Sequence, residues 1–458
     1  MPNETSDRPL KHYDVIIVGG GMVGASLANA ILPLTKAPHN LKVCVIDSFE
    51  YSTEKKADKN SNKTGDKNGT EKDDLKRNNQ SSYDDRSIAL SHGSSLIFKG
   101  IGLWNELQAK TSAIKKIHIS DRGHFGATRL TAEQEKVPSL GYLVESRVLG
   151  QQLYQGLADS NIDLVVPANV VGIEKHNDES VSLDVKQGDE TIILTSRLLV
   201  AADGTGSKVR ELSGIGITTS DYQQSAIITN VSTQKPHAGE AFERFTENGP
   251  IALLPLTGNR SSLVWTHKTE NGTEALDAVM ALDDKAFLRQ LDEAFGYRLG
   301  RFTKVGKRSA YPLSLVTSDK NTAYRTLIIG NASHTLHPVA GQGLNLALRD
   351  VAVLSDLLAS LISKTREQQS VSSINSIAEL LVEYEELRAK DLKDTIQYTD
   401  SLVRLFSNDI SLLGHARAGG LLAVDRISPI RKWLSHQSMG INHRQSRLAR
   451  GLALRVGV

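Results

Sequence analysis

Cysteine is all but missing: Cys44 is the only one in 458 residues. That excludes an intramolecular disulfide framework and a thiolate metal cluster. Net charge is also missing, since 54 Lys and Arg against 52 Asp and Glu leave +2. A globally basic nucleic-acid coat and an acidic disordered chain are both excluded. No apolar run reaches the length of a membrane span, so no transmembrane helix is expected. The opening "MPNETSDRPLKHYD" lacks the apolar segment of a secretory signal. Internal repeats are absent too. What is present, 39% hydrophobic and 23% charged residues, fits a core-forming, enzyme-sized protein of two or three domains, expected in the cytoplasm.

The first ordered element is "YDVIIVGG", where Val15 to Val18 reads as a strand buried on both faces of a parallel sheet. A helix follows from Met22 to Leu32, stopped near Pro33, and Leu41 to Asp47 makes a second buried strand. Inside this βαβ unit lies G-x-G-x-x-G at Gly19, Gly21 and Gly24. The first glycine permits the tight turn, the second lets a pyrophosphate approach the backbone, and the third lets helix and sheet pack closely. The helix start offers free N–H groups and a positive dipole end. Asp47 ends the second strand, where a carboxylate can take both hydroxyls of an adenosine ribose. The pattern in this context points to dinucleotide binding. No second such fingerprint follows a strand, so a permanent domain for a second dinucleotide is not expected.

Two later motifs carry chemistry. "RLLVAADGTGSKVREL" is a buried strand that delivers Asp203 and Gly204, followed by Ser207 and Arg210. From the residues alone it is equally an ordinary strand-to-helix turn with an Asp cap. "TLIIGNASHTLHPVAGQGLNLALRDV" is a strand ending at Gly330, a loop with Pro338, and then Gly341-Gln342-Gly343 opening a helix. Two ligand-facing helix starts suit an extended cofactor, one for its pyrophosphate and one for negative charge on a reduced ring. His334 and His337 have no Cys or acid at ligand spacing, so no metal is expected.

Elsewhere, residues 51–82 are almost devoid of apolar side chains and read as a disordered surface insertion. Residues 163–202 read as a β-meander, 222–268 as strands, and 273–295, 343–362 and 374–408 as helices. From His415 to Val458 eight Lys and Arg face one acid, Asp425, interleaved with Leu, Ile, Trp433 and Met439. That tail is either a basic amphipathic surface for anionic lipid or a partner protein, or a helical cap with solvated arginines.

The three motifs in this order resemble the flavoprotein aromatic hydroxylases of the p-hydroxybenzoate hydroxylase fold. "DDRSIALSHGS", "LGYLVESRVLG", "AFERFTENGPIALLPL" and "HTLHPVAGQGLNLALRDV" narrow the resemblance to the FAD-dependent hydroxylases of ubiquinone biosynthesis. It is nearest to the branch acting on 2-polyprenyl-6-methoxyphenol, and spans about residues 13 to 450 without the insertion.

The resemblance implies an α/β fold: a Rossmann-like FAD-binding domain over 11–215 and 310–375, an inserted β-rich substrate domain over 216–309, and a helical C-terminal region over 376–458. Gly19, Gly21 and Gly24 would hold the FAD pyrophosphate and Asp47, where the family usually has Glu, the adenosine ribose. Arg86 and Arg147 match arginines that line the flavin site, and Asp203 and Gly204 match the family's Asp-Gly motif. The family's Gly-Asp-Ala-Ala-His reads Gly330-Asn331-Ala332-Ser333-His334 here, so Asn331 keeps an acceptor but loses the charge. Gly341, Gly343 and Asn345 belong to the cofactor side, while His334 and Pro338 are the catalytic candidates beside the ring. His334 is either a base for the phenol or a structural histidine, and the residues do not otherwise identify a base. The implied reaction is hydroxylation of 2-polyprenyl-6-methoxyphenol para to its hydroxyl with O2, through a flavin C4a-hydroperoxide, with NAD(P)H as a transient reductant; the alternatives are a sister ubiquinone-pathway hydroxylase at another ring position and a non-catalytic FAD-binding assembly subunit. The implied partners are the prenylated phenol, a ubiquinone-biosynthesis complex and, through the basic tail, the inner face of the cell membrane.

Overall fold

The computed structural model describes residues 11–50, 86–123, 126–158, 160–176, 179–367, 373–406, 420, 423–443 and 446–455. The 51–82 insertion and tail residues Arg417 and Arg444 lie outside the described residues.

Strand Lys11–Val18 is apolar throughout its second half because parallel neighbours flank it, Val43–Ile46 on one side and Glu190–Ala201 on the other. Thr326–Ile328 adds a further parallel strand beyond Glu190–Ala201. Alternate side chains serve two cores. Val15, Ile17, Val43 and Val45 face helices Met22–Thr35, Ser146–Ala158 and Gln342–Glu367. Ile16, Val18, Cys44 and Ile46 face the antiparallel meander 169–201. A run buried on both sides thus loses the alternation of a one-faced strand. Because the four central strands are parallel, their C-terminal ends share one edge, where open α/β sheets bind ligands.

Helix Met22–Thr35 runs through Pro33 rather than stopping there. The proline sits two residues from the end, so it removes only one late helical bond, and buried Leu34 and Thr35 hold the last turn. The expected 273–295 helix is two helices, Glu274–Ala281 and Asp284–Phe295. The break falls at Asp283, whose side chain caps the second helix by accepting from the Ala286 N–H at 2.7 Å.

The second sheet has nine strands and overruns the expected 216–309 boundary. Strand Lys116–Asp121 pairs in parallel with Glu240–Thr246, Ala127–Thr131 follows it, and Ser309–Ser318 pairs with Ile217–Thr233. The nine-stranded sheet is therefore assembled from residues on both sides of 216–309. One face of this sheet packs on the two helices at 274–295 through Phe242, Trp265, Phe287 and Leu291. The other face carries Ala241, Glu243 and Phe245, with Ile119 and Ala252 beside Glu243. Helix Ser373–Phe406 packs along Gln342–Glu367. The tail returns to the first unit: Met439 and Leu448 are buried, and the Arg447 N–H donates to Asp356 Oδ2 at 2.5 Å. Among the described residues no helix is long and apolar enough to cross a membrane.

Candidate functional site

Three strand ends, those of Lys11–Val18, Val43–Ile46 and Glu190–Ala201, deliver motif residues to one crevice of about 380 Å3. Gly19, Gly21, Asp47, Asp203 and Gly204 all line it. Gly19 turns out of the first strand with φ +96°, and a Cβ there would stand 2.4 Å from the Ala202 carbonyl oxygen. Only glycine satisfies both demands. A Cβ on Gly24 would stand 1.8 Å from the Gly19 carbonyl oxygen, so that glycine sets how closely the helix meets the turn. Gly21 differs: its backbone is ordinary, φ −62°, and a Cβ would meet no protein atom within 4 Å. Its bareness serves nothing inside the protein and leaves the helix start open.

Asp47 Oδ2 accepts from the Gly20 N–H at 2.6 Å and Oδ1 from the Phe49 N–H at 3.0 Å. The carboxylate thereby ties the glycine turn to the end of the second strand. Asp203 Oδ2 accepts from the Val209 N–H at 3.3 Å, while Oδ1 is buried without a hydrogen-bond partner. Burial raises the Asp203 pKa. An orphaned buried acceptor at a crevice wall is what a ligand hydroxyl would satisfy. The second and third motifs are stitched together, with Arg210 Nη1 donating to the Ala332 carbonyl at 2.9 Å and Thr205 Oγ1 standing 3.0 Å from Thr335 Oγ1.

Beyond the third motif lies an apolar cavity of about 460 Å3. Its floor is the face of the nine-stranded sheet turned away from the helices at 274–295, with Ile117, Ile119, Phe245 and Leu254. Pro338, Val339 and Gly341 form one wall, and Tyr398, Leu402, Trp433 and Leu434 form another. Trp433 is 51% exposed, so that wall reaches the molecular surface. Glu243 is the one carboxyl among the described residues of this lining. Its Oε1 is buried without a hydrogen-bond partner, and burial pushes the pKa up to about 7. Sequence reading passed over it, because "EAFERFT" looks like any half-buried strand. The signal available was alternation, which puts Glu243 on the same face as Ala241 and Phe245.

The structure does not bring every expected residue to these walls. His334 is buried behind the loop and lines neither cavity. Its Nδ1 is 3.3 Å from Ser333 Oγ, its Nε2 faces Asp350 at 3.9 Å, and burial lowers its pKa. These contacts suit the structural one of the two readings of His334, a neutral histidine bracing the loop. Asn345 reaches the apolar cavity, but its amide is fully committed. Nδ2 donates to the Ala89 and Gly341 carbonyls, and Oδ1 accepts from the Ser91 N–H at 2.8 Å and Ser94 Oγ at 2.7 Å. The side chain therefore braces the loop and has no bond left for a cofactor. Asn331 is exposed, and Gly343 faces open space. Gly330 packs on Val23 at the start of the first helix. Arg86 lies over the Tyr311 ring at 5.2 Å, and exposed Arg147 faces Glu145 at 3.8 Å. The two arginines flank one end of the small sheet formed by Ser87–Ser91 and Gly141–Glu145.

Under the loop, a buried ion network fixes the third motif. Arg388 Nε donates to Asp350 Oδ1 at 2.8 Å and Arg388 also pairs with Asp391. Arg349 Nε donates to Asp391 Oδ2 at 2.8 Å.

Comparison with known proteins gives the following. The FAD binding domain family matches residues 67–383. Ubiquinone hydroxylase UbiL of Rhodospirillum rubrum is 35% identical, the alignment covering 97% of this chain and 94% of that protein. The 3-demethoxyubiquinol 3-hydroxylase of Escherichia coli is 29% identical over 93% of this chain and 98% of its own length. Among solved structures, p-nitrophenol 4-monooxygenase PnpA of Pseudomonas putida superposes with a TM-score of 0.70 at 14% identity, covering 95% of this chain and 100% of that one.

Proposed function

The chain belongs to the FAD-dependent hydroxylases of ubiquinone biosynthesis, and from that premise we propose that it hydroxylates a 2-polyprenyl-6-methoxyphenol para to the existing hydroxyl. As a monooxygenase of this family it uses FAD, with NAD(P)H as reductant. The crevice fits that cofactor. Open Gly21 leaves room for a pyrophosphate, and the orphaned Asp203 Oδ1 awaits a hydroxyl donor. In this reading the turn at Gly19–Gly24 holds the pyrophosphate, Asp47 meets the adenosine ribose, and the helix start at Gly341–Gly343 faces the flavin ring. Bound FAD supplies the activation of oxygen.

The observation that carries the reading is the apolar cavity walled by the Pro338–Gly341 loop. A lining that is mainly apolar suits an uncharged aromatic ring. Its volume, about 460 Å3, suits a ring and the beginning of a tail, not a full polyprenyl chain. The remainder must stay in apolar surroundings, since one five-carbon unit is worth roughly 3–4 kcal/mol at about 0.8 kcal/mol per CH2. Exposed Ile427, Ile430 and Trp433 share an apolar and basic surface segment with exposed Arg426 and Lys432, and Trp433 carries that segment to the cavity's rim. We assign this rim to the surface of an anionic bilayer, where each basic side chain contributes about 1 kcal/mol.

A second ring position is favoured by one observation, the likeness to an Escherichia coli protein named for 3-hydroxylation. Mass spectrometry of quinone-pathway lipids in a source strain lacking the gene separates the two. Accumulated polyprenyl-methoxyphenol with depleted ubiquinone is the expected result; a stalled, later precursor selects the other ring position.

A further inference from the structure

We propose that Glu243 is the base that takes the hydroxyl proton of the phenol held in the apolar cavity. The inference rests on the hydroxylase reading of that cavity. In the step proposed, the phenol O–H bond breaks, a new O–H bond forms on the Glu243 carboxylate, and the electron pair stays on the phenolate oxygen. The ring becomes richer in electrons at the positions ortho and para to that oxygen.

Three observations converge on this residue. First, register places it. Glu243 lies opposite Ile119 on one neighbouring strand and Ala252 on the other, and shares its face with Ala241 and Phe245. An apolar side chain would fill this position on every structural ground, and burying an unpaired carboxyl is costly. Second, nothing in the protein uses it. Oε1 is buried without a partner, and no ion pair involves Glu243 among the described residues. The ion networks of this fold lie elsewhere, on Arg349 and Arg388. Third, the surroundings are electrically quiet. The sheet strands around it present Ile117, Ile119, Ala252 and Val264, the loop presents Pro338 and Val339, and the C-terminal helix presents Trp433 and Ser438. Tyr398 is the only other titratable group in the described lining, and burial pushes it up to about 12, so it stays neutral. A lone carboxyl therefore sets the polarity of the whole cavity, and a phenolic O–H is the group it would select. Burial raises its pKa to about 7, so it is ionised and competent on the alkaline side and protonated on the acid side.

The test uses the FAD-loaded full chain, a short-chain prenylated methoxyphenol and NAD(P)H, with product measured on both sides of pH 7. Wild-type kcat/KM is expected to rise with pH through about 7. Glu243→Gln should lose that limb and fall by about 10²–10⁴-fold at alkaline pH. Glu243→Asp should keep the limb at a reduced rate. A fluorinated phenol that ionises unaided near neutral pH should restore much of the Glu243→Gln rate, which a merely structural defect would not allow. Retained FAD content and thermal midpoint in the Gln variant exclude misfolding. A Gln variant with wild-type rate and pH profile overturns the assignment while leaving the hydroxylase reading intact. A wild-type enzyme that oxidises NAD(P)H but hydroxylates no phenol overturns both.

Discussion

Replacing Gly21 by alanine separates the fold from the ligand. The added Cβ would meet no protein atom within 4 Å, and φ −62°, ψ −170° is backbone that alanine adopts without strain. Two small effects on stability oppose each other. Alanine is a poorer N-cap than glycine by up to about 1 kcal/mol, and it lowers the entropy of the unfolded chain by an equivalent of about 0.4–1 kcal/mol. The apoprotein should therefore keep its urea midpoint to within about 1 kcal/mol. FAD binding should not survive so well. The methyl group points into the crevice at the helix start, and pushing the pyrophosphate away forfeits one or two charge-assisted bonds of about 1.5–3 kcal/mol each. A loss of about 3 kcal/mol weakens FAD binding roughly 100-fold. Gly24→Ala is the internal contrast. Its Cβ would stand 1.8 Å from the Gly19 carbonyl oxygen, so the backbone must move. The overpacking cost of about 1–3 kcal/mol exceeds the helix-propensity gain of about 1 kcal/mol. That variant should lose stability and FAD together. The assay is titration of each apoprotein with FAD by flavin fluorescence, alongside urea unfolding. A Gly21→Ala protein that binds FAD as tightly as wild type, or that is strongly destabilised without ligand, would refute the reasoning.

Further outcomes follow from the buried network and the rim. Arg388→Ala strands the buried Asp350 carboxylate and should cost about 3–5 kcal/mol, read as a fall in the thermal midpoint. Burial alone would raise the Asp391 pKa, but Arg349 and Arg388 hold it well below the usual carboxylate range. Its contribution is thus full above the unfolded value of about 3.9 and is lost as pH falls from there toward the folded value. Urea midpoints measured down that range should fall, and should fall less in Arg388→Ala. Ile430→Glu with Lys432→Glu should reduce flotation with vesicles containing anionic lipid and leave FAD content unchanged; equal flotation contradicts the bilayer assignment of the rim.

How much was legible depends on how far each feature reaches along the chain. The βαβ unit with Gly19, Gly21, Gly24 and Asp47 could be read because its logic is local: an apolar run, a glycine turn and a strand end within one short segment. The convergence of Asp203 on the same crevice as Gly19 and Asp47 needed the parallel order of strands far apart in sequence, which only the family likeness supplied beforehand. Lys116–Asp121 alternates well enough to be a strand, yet nothing local announces its partner Glu240–Thr246. Glu243 was missed for the same reason, since its meaning comes from Ile119 and Ala252 across the sheet. His334 had two readings from sequence, base or structural histidine, which only its surroundings could separate. A histidine beside a glycine loop looks chemical, but Asp350 and Ser333 hold it behind the wall. In the tail, counting charges could not distinguish Arg447, whose backbone docks on Asp356, from Lys432 on the exposed helix face.

The most direct test of the account supplies the FAD-loaded enzyme with NAD(P)H, a short-chain 2-prenyl-6-methoxyphenol and heavy-isotope-labelled dioxygen, and locates the label in the product by mass spectrometry and NMR. The account predicts one labelled oxygen on the ring carbon para to the original hydroxyl. NAD(P)H consumed with only labelled hydrogen peroxide formed, or a product whose new oxygen comes from water, would contradict it.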